Sequence, residues 1–325
     1  MFTLRFDLRS RDGAARNPEL YAAAVEMCAW AEDRGAVVAV LSEHHGTDDG
    51  HLAAPQILAA ALAARTSRLM IMLAAVPLPF WDPVRLAEEV CALDILSGGR
   101  VSFVFGLGHR PDEYEHFGCD PHHRGKVADE HLELLLRLLS GDIVERDGRR
   151  ISVTPHCASP AGPFIAVAGG TRAAARRAAR HGLGFISQTP SEDLRQYYAS
   201  QCRAHGHEPG VARFPVPGEP TAVFVADDVD AAWQELGPYL LHDAVTAASY
   251  RHGDDSVASI SRALTVSALR AERGPYRVLC LDEATEHVEA GSPLPLHPLC
   301  GGLPPETAWR YLEHAVVAAG RARAN

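Results

Sequence analysis

The stretch RLMIMLAAV at residues 68–76 is almost continuously apolar, and it limits the fold more than any other segment. A strand with one wet face alternates polar and apolar side chains. A strand that is apolar at successive positions is buried on both faces, the situation of a parallel strand covered by helices. Helix-like stretches flank this run, APQILAAALAART at 54–66 and WDPVRLAEEVCALDILSGG at 81–99. The same alternation extends along the chain, with TLRFDL, AVVAVL, RVSFVFG, PFIAVAGG and LGFIS as further strands. Strands alternating with helices imply a parallel sheet joined by helical crossovers.

The punctuation agrees with this pattern. Asn17-Pro18 and Asp82-Pro83 read as helix starts, with the proline in the first helical position, and Gly35, Gly98-Gly99 and Gly182 read as stops. Leu20, Ala24, Met27 and Ala31 share one face of the first helix. In TRAAARRAARHG, Ala174, Ala175, Ala178 and Ala179 form the inward face, and Arg172, Arg176, Arg177 and Arg180 a solvated one. After the helix KVADEHLELLLRLLSG, Asp147-Gly148 between two alternating runs predicts a β-hairpin. From residue 205 to 220 the chain reads as loop, TAVFVADD as a strand, and 230–272 as mostly helical with a break near RHGDDS. A last strand and a proline-started helix follow in PLPLHPLCGGLPPETAWRYLEHAVVAA. The expected architecture is α/β: one (β/α)8 TIM-barrel domain over 1–325. It has a hairpin excursion between the fourth helix and the fifth strand and an irregular region at about 206–275.

Composition removes several function classes. The chain has 325 residues, 47% of them hydrophobic, and a formal charge of −10. No segment concentrates Lys and Arg among aromatics, which argues against nucleic acid as a partner. The longest apolar stretch is broken by proline and too short to span a bilayer, and MFTLRFDLRS lacks a signal core. A cytoplasmic protein without a membrane partner is expected. Seven scattered cysteines without CxxC spacing suit reduced, mostly buried thiols. Lys126 is the only lysine, so Schiff-base chemistry would rest on that one position.

In a parallel barrel, chemistry gathers where strands end and βα loops begin. Glu43, His44 and His45 follow the second strand, Ala74 and Ala75 lie near the end of the third, and Gly106 and Gly108 follow the fourth. Gly169, Gly170 and Thr171 follow the fifth, and Ser187 and Gln188 the sixth. Successive side chains on a strand point to opposite faces, so His44 and His45 cannot share a role. One of them is a candidate acid/base group and the other a partner of Glu43. Gly169-Gly170 ahead of a helix lets backbone approach a ligand, and the helix amides then point at it, a geometry suited to phosphate; a plain turn with Thr171 as N-cap is the alternative. PHHRGK at 121–126 reads as a solvated loop, with Arg124 reaching a phosphate as the alternative. The only H-x-H, at 205–207, sits in a loop without adjacent carboxylates, so no metal ligand set is assigned.

Taken jointly, LSEHHG, LAAVPLPFWDPVRLAEEVCALDILSGGRVSFVFGLG, YEHFG and PFIAVAGGTRAAARRAARHGLGF resemble, in order and spacing, the luciferase-like flavin monooxygenases and their deazaflavin-dependent relatives. The resemblance implies a TIM barrel holding a flavin at the C-terminal ends of its strands, with His44 as the active-site histidine and His45 as a structural neighbour. It also implies a bulge with a non-proline cis peptide at Ala74-Ala75 behind the flavin ring. Gly106, Arg124, Gly169, Gly170, Thr171, Ser187 and Gln188 become cofactor-binding positions. Where the luciferase catalytic subunit has a cysteine and an arginine after strand four, this chain has Gly106 and Leu107, which argues against light emission from a long-chain aldehyde. The implied activity is a monooxygenase that uses reduced FMN and oxygen on a small organic substrate, with a flavin reductase as donor and a homodimer as assembly. A deazaflavin-dependent hydride transfer, a flavin-binding protein without catalysis and a metal-dependent barrel hydrolase are the alternatives.

Overall fold

Residues 1–13, 17–250 and 256–324 are described by the computed structural model. The side chain of Asn17, expected to cap the first helix, and the expected break at 251–255 lie outside the described residues.

The chain begins with β1 (Phe2–Phe6), α1 (Asn17–Glu32), β2 (Ala36–Leu41), α2 (Pro55–Arg65), β3 (Met70–Pro77), α3 (Pro83–Ser97) and β4 (Val101–Gly106). Asp82 caps α3 by accepting the amides of Val84 and Arg85, and Gly98 closes the helix in the left-handed region at φ +64°, the conformation in which a missing Cβ matters most. Next come α4 (Pro111–His116), α5 (Arg124–Leu139), the hairpin β5 (Val144–Arg146) and β6 (Arg149–Ile151), then β7 (Ile165–Ala168), α6 (Arg172–Arg180), β8 (Gly184–Ile186), α7 (Glu192–Ala204) and β9 (Ala212–Arg213). The chain ends with β10 (Ala222–Val225), α8 (Val229–Ser249), α9 (Val266–Glu272), β11 (Tyr276–Leu279), α10 (Leu281–Glu289), β12 (Leu294–Leu296) and α11 (Pro305–Ala324). The hairpin turn holds Asp147 and Gly148 both at positive φ, as a two-residue turn between right-twisted strands requires.

Two compact units divide these elements. The first takes residues 1–53, 68–70 and 215–325, the second 54–67 and 71–214. In the first, the strand order is β11-β10-β12-β1-β2, all parallel. In the second it is β3-β4-β7-β8-β9, again all parallel. Phe103, Val104 and Phe105 of β4 and Val223, Phe224 and Val225 of β10 are all buried, which fits strands covered on both faces. Leu20, Ala24, Met27 and Ala31 are buried together along α1.

The parallel α/β architecture matches the pattern expected from sequence, with local departures. Two-residue β9 lies in a stretch expected to be loop, being too short to show a period, and α4, α10 and β11 were not anticipated. The arginine face of α6 is not wholly solvated. Arg177 is buried, its Nε donating to Asp129 at 2.6 Å and its Nη2 to the Gly125 carbonyl at 3.0 Å. Among the described residues no helix is long and apolar enough to cross a membrane.

Candidate functional site

In the first unit, β2 runs straight into the acid and two histidines. His45 turns toward Glu43, Nε2 donating to the buried carboxylate at 2.9 Å. His44 turns elsewhere: its ring meets His51 edge-on at 4.8 Å between centroids and lies 5.2 Å from the Tyr250 ring. The loop is tied down by the His44 amide donating to Leu52 O at 3.2 Å and the Leu52 amide to Asp7 O at 2.7 Å. His51 is 4% exposed. Its Nδ1 faces the Leu52 carbonyl at 3.3 Å and its Nε2 the Ser42 hydroxyl at 3.4 Å. A carbonyl only accepts, so Nδ1 carries the hydrogen and Nε2 accepts from Ser42. Burial, with the nearby Arg9 and His44, holds the His51 imidazole well below its ordinary pKa, so this ring stays neutral beside His44.

Beneath these rings lies an ionic cluster that sequence reading did not find. Asp7 and Arg9 follow β1 on either side of Leu8, and all three are buried. The Arg9 guanidinium lies 3.4 Å from Asp7, 3.8 Å from Asp49 and 3.3 Å from Asp243, and 5.5 Å from the Tyr250 ring. His297, after β12, approaches Asp7 at 3.4 Å, and the Tyr276 hydroxyl donates to Asp243 at 2.5 Å. Burial works to raise the Asp7 pKa, but the His297 and Arg9 charges together hold its carboxyl well below the usual range. Asp49 is likewise held low against its burial by His242, 3.8 Å away, and by Arg9. A signal was present, since an acid and a base stand two residues apart just after β1. Their partners come from three distant segments.

Asp243, His297 and Cys300 bring donor atoms within 4.8 Å of one another. Yet Arg9 and Tyr276 already occupy the two oxygens of Asp243. Burial, reinforced by Asp243 and Asp7, pushes the Cys300 thiol well up. The trio is a polar packing cluster.

The second unit ends its strands differently. Ala74-Ala75 in β3 is joined by a cis peptide, and the β3–β4 register shifts there. Next to it on β4, a Cβ on Gly106 would come within 3.3 Å of the Ala75 Cβ. Gly169 follows β7 at φ +151°, where a Cβ would meet Ala174 at 2.7 Å, and a Cβ on Gly170 would meet the Thr189 hydroxyl at 2.3 Å. Thr171 caps α6 by accepting the Ala174 amide at 3.3 Å. The first-turn amides of Arg172 and Ala173 therefore have no acceptor within the helix, and the helix dipole adds partial positive charge there. Among the described residues the half-buried Thr189 hydroxyl has no hydrogen-bond partner; it is the position beside Gln188 that sequence reading passed over.

The remaining candidates are placed less centrally. Ser187 spends its hydroxyl on the Thr189 backbone, donating to O at 2.8 Å and accepting from N at 3.1 Å, so it shapes the loop beside half-buried Gln188. Arg124 is exposed at the start of α5, and its charge acts on the Tyr114 hydroxyl, which donates to Leu107 O at 2.5 Å. The donor set of this unit fits a flavin mononucleotide: helix amides for a phosphate, with a hydroxyl beside them that no described residue engages.

The fold has counterparts among known proteins. The crystal structure of the monooxygenase RslO1 from Streptomyces bottropensis superimposes with a TM-score of 0.78 at 23% identity, covering 99% of this chain and 100% of that one. The oxygenating constituent of 3,6-diketocamphane monooxygenase from Pseudomonas putida, a type II Baeyer-Villiger monooxygenase solved with FMN, gives a TM-score of 0.70 at 18% identity, covering 99% and 97%. Both share the fold. Among curated relatives, limonene 1,2-monooxygenase of Rhodococcus erythropolis is 36% identical over 32% of this chain and 27% of its own length. The alkanal monooxygenase alpha chain of Photorhabdus luminescens is 32% identical over 45% and 42%. The matched region is thus less than half of either relative. The family model described as luciferase-like monooxygenase matches residues 2–277. With that match spanning most of the sequence, the chain belongs to the luciferase-like monooxygenase family.

Proposed function

We propose that this chain is a flavin-dependent monooxygenase that uses reduced FMN and dioxygen to oxidise a small organic substrate. The observation that carries the reading is the cradle after β7, where Gly169, Gly170 and the Thr171-capped N-terminus of α6 meet the uncommitted Thr189 hydroxyl. There the amides of α6 would bind the phosphate, and Ala74, Ala75 and Gly106 would leave room for the flat ring system. Gln188 and Ser187 shape the neighbouring loop, and Arg124 supplies positive charge from the start of α5. When bound, the reduced flavin supplies the two electrons with which one oxygen atom reaches the substrate and the other becomes water.

His44 is the proton-handling residue in this reading. Its ring is held by His51 and Tyr250, and an imidazole can donate or accept a proton at a substrate oxygen. His45 and Glu43 hold the loop. Residues 1–325 would work as one luciferase-like domain, cytoplasmic and homodimeric, with reduced flavin delivered by a separate reductase; the likeness to RslO1 over 99% of the chain supports this unit of function.

The test is a titration of the purified chain with FMN and, separately, with a deazaflavin, each complex then reduced anaerobically and exposed to oxygen. FMN should bind and consume oxygen, with part of that consumption coupled to product when a small ketone or alkene is supplied. Binding of the deazaflavin alone, or flavin binding with no substrate-dependent oxygen use across such a panel, would overturn it.

A further inference from the structure

Two sulfur atoms in the second unit lie in contact away from the cofactor cradle. Cys157 Sγ sits 3.4 Å from Cys91 Sγ. Cys91 is buried on α3, and Cys157 is half-buried in the loop after β6. One helical turn beyond Cys91, the fully buried Asp94 grips the same loop, its two oxygens accepting the Ser159 amide at 2.8 Å and the Ser159 hydroxyl at 2.7 Å. Gly99 makes room for this grip, since a Cβ there would come within 2.7 Å of the Ser159 hydroxyl. The carboxylate clamp therefore fixes the loop on α3 with the two thiols facing. A disulfide has sulfurs about 2.05 Å apart, so the remaining approach is on the order of 1.4 Å.

We propose that Cys91 and Cys157 form an oxidative modification site whose co-reactant is hydrogen peroxide and whose product is an intrachain disulfide. The more accessible thiol, Cys157, attacks a peroxide oxygen as its thiolate, forming a sulfenic acid and releasing one water. Cys91 then attacks that sulfur, the S–S bond forms and the sulfenic oxygen leaves as a second water. The two thiols together lose two electrons and two protons, and the peroxide takes up both. Burial pushes both thiols up, Cys157 to about 12 with help from Cys91 and Asp94. The thiolate is scarce at neutral pH, so the pair answers sustained oxidant rather than traces, and its rate follows the thiolate fraction. The pair needs no bound cofactor and stands apart from the monooxygenase reading.

The experiment treats the full chain with excess hydrogen peroxide at pH 7 and pH 8, alkylates the remaining thiols, digests without reductant and maps the peptides by mass spectrometry. The expected result is one cross-linked pair containing Cys91 and Cys157, two hydrogens lighter than the separate peptides, released by dithiothreitol and formed about tenfold faster at pH 8 than at pH 7. In Cys157→Ser, with folding checked by circular dichroism, Cys91 should be alkylated in full. Cys157 carried to sulfinic or sulfonic acid beside a free Cys91, either cysteine joined to another one, or both alkylated in full in the wild-type chain would overturn the proposal. The wild-type map decides the matter even where a variant fails to fold.

Discussion

Strands β1, β2 and β12 of the first unit run out into Asp7, Arg9, Asp49, His51 and His297, whereas β3, β4, β7 and β8 of the second run out into Ala75, Gly106, Gly169, Gly170 and Thr189. The first set is polar and buried, with Arg9 among carboxylates. The second is small, nearly neutral and leaves a hydroxyl and helix amides uncommitted. On the function proposed above, the contrast separates two tasks: holding the His44 ring against a neutral His51, and leaving space and donors for a ligand. Buried charge is expensive unless paired, so the ionic end is a place where substitution damages stability. At the glycine end substitution should damage binding instead.

The comparison breaks most readily at Arg9. Arg9→Leu leaves Asp7, Asp49 and Asp243 buried around a missing cation, and urea unfolding should report a loss of about 3–5 kcal/mol. A loss below about 1 kcal/mol would mean that the cluster is more solvated than its burial indicates. The opposite end is sharpened by Gly170→Val, whose side chain must displace Thr189. FMN affinity should fall by roughly 10- to 100-fold, about 1.4–2.8 kcal/mol, while the urea midpoint moves little. Equal damage to folding and binding would erase the distinction between the two ends.

The smallest expected effect is a pH slope. The folded His51 pKa lies well below the ordinary value of 6.5, so as pH falls through 6.5 the unfolded chain takes up a proton that the folded chain refuses. Stability should therefore decline by about 1.4 kcal/mol per pH unit below that point until the folded pKa is reached. Asp7 and Asp49, also lowered in the fold, steepen the loss as pH falls through the ordinary carboxylate value of 3.8. His51→Gln should flatten the upper part of the slope and leave the lower part.

Much of this was legible in the sequence because it was local. Asp82-Pro83 announced α3, Asp147-Gly148 the hairpin, and Glu43 next to two histidines a pair and a single ring, which the structure separates as His45 on Glu43 and His44 on His51. The ionic cluster was illegible because its members lie on β1, the loop after β2, α8 and the end of β12, far apart in sequence and each unremarkable alone. Arg177 misled for a related reason: helical periodicity put it on the arginine face of α6, and only the position of Asp129 on α5 shows why it is buried. Thr189 escaped notice because a threonine in a loop acquires meaning only from Gly170 beside it.

The division of labour is tested most directly by measuring FMN dissociation constants and substrate-dependent turnover for His44→Ala beside the wild-type chain. The account predicts FMN binding within about twofold of wild type and turnover lower by about 10²- to 10⁴-fold, the range for loss of a general acid or base. Wild-type turnover in His44→Ala, or turnover lost only in proportion to lost FMN binding, would contradict it.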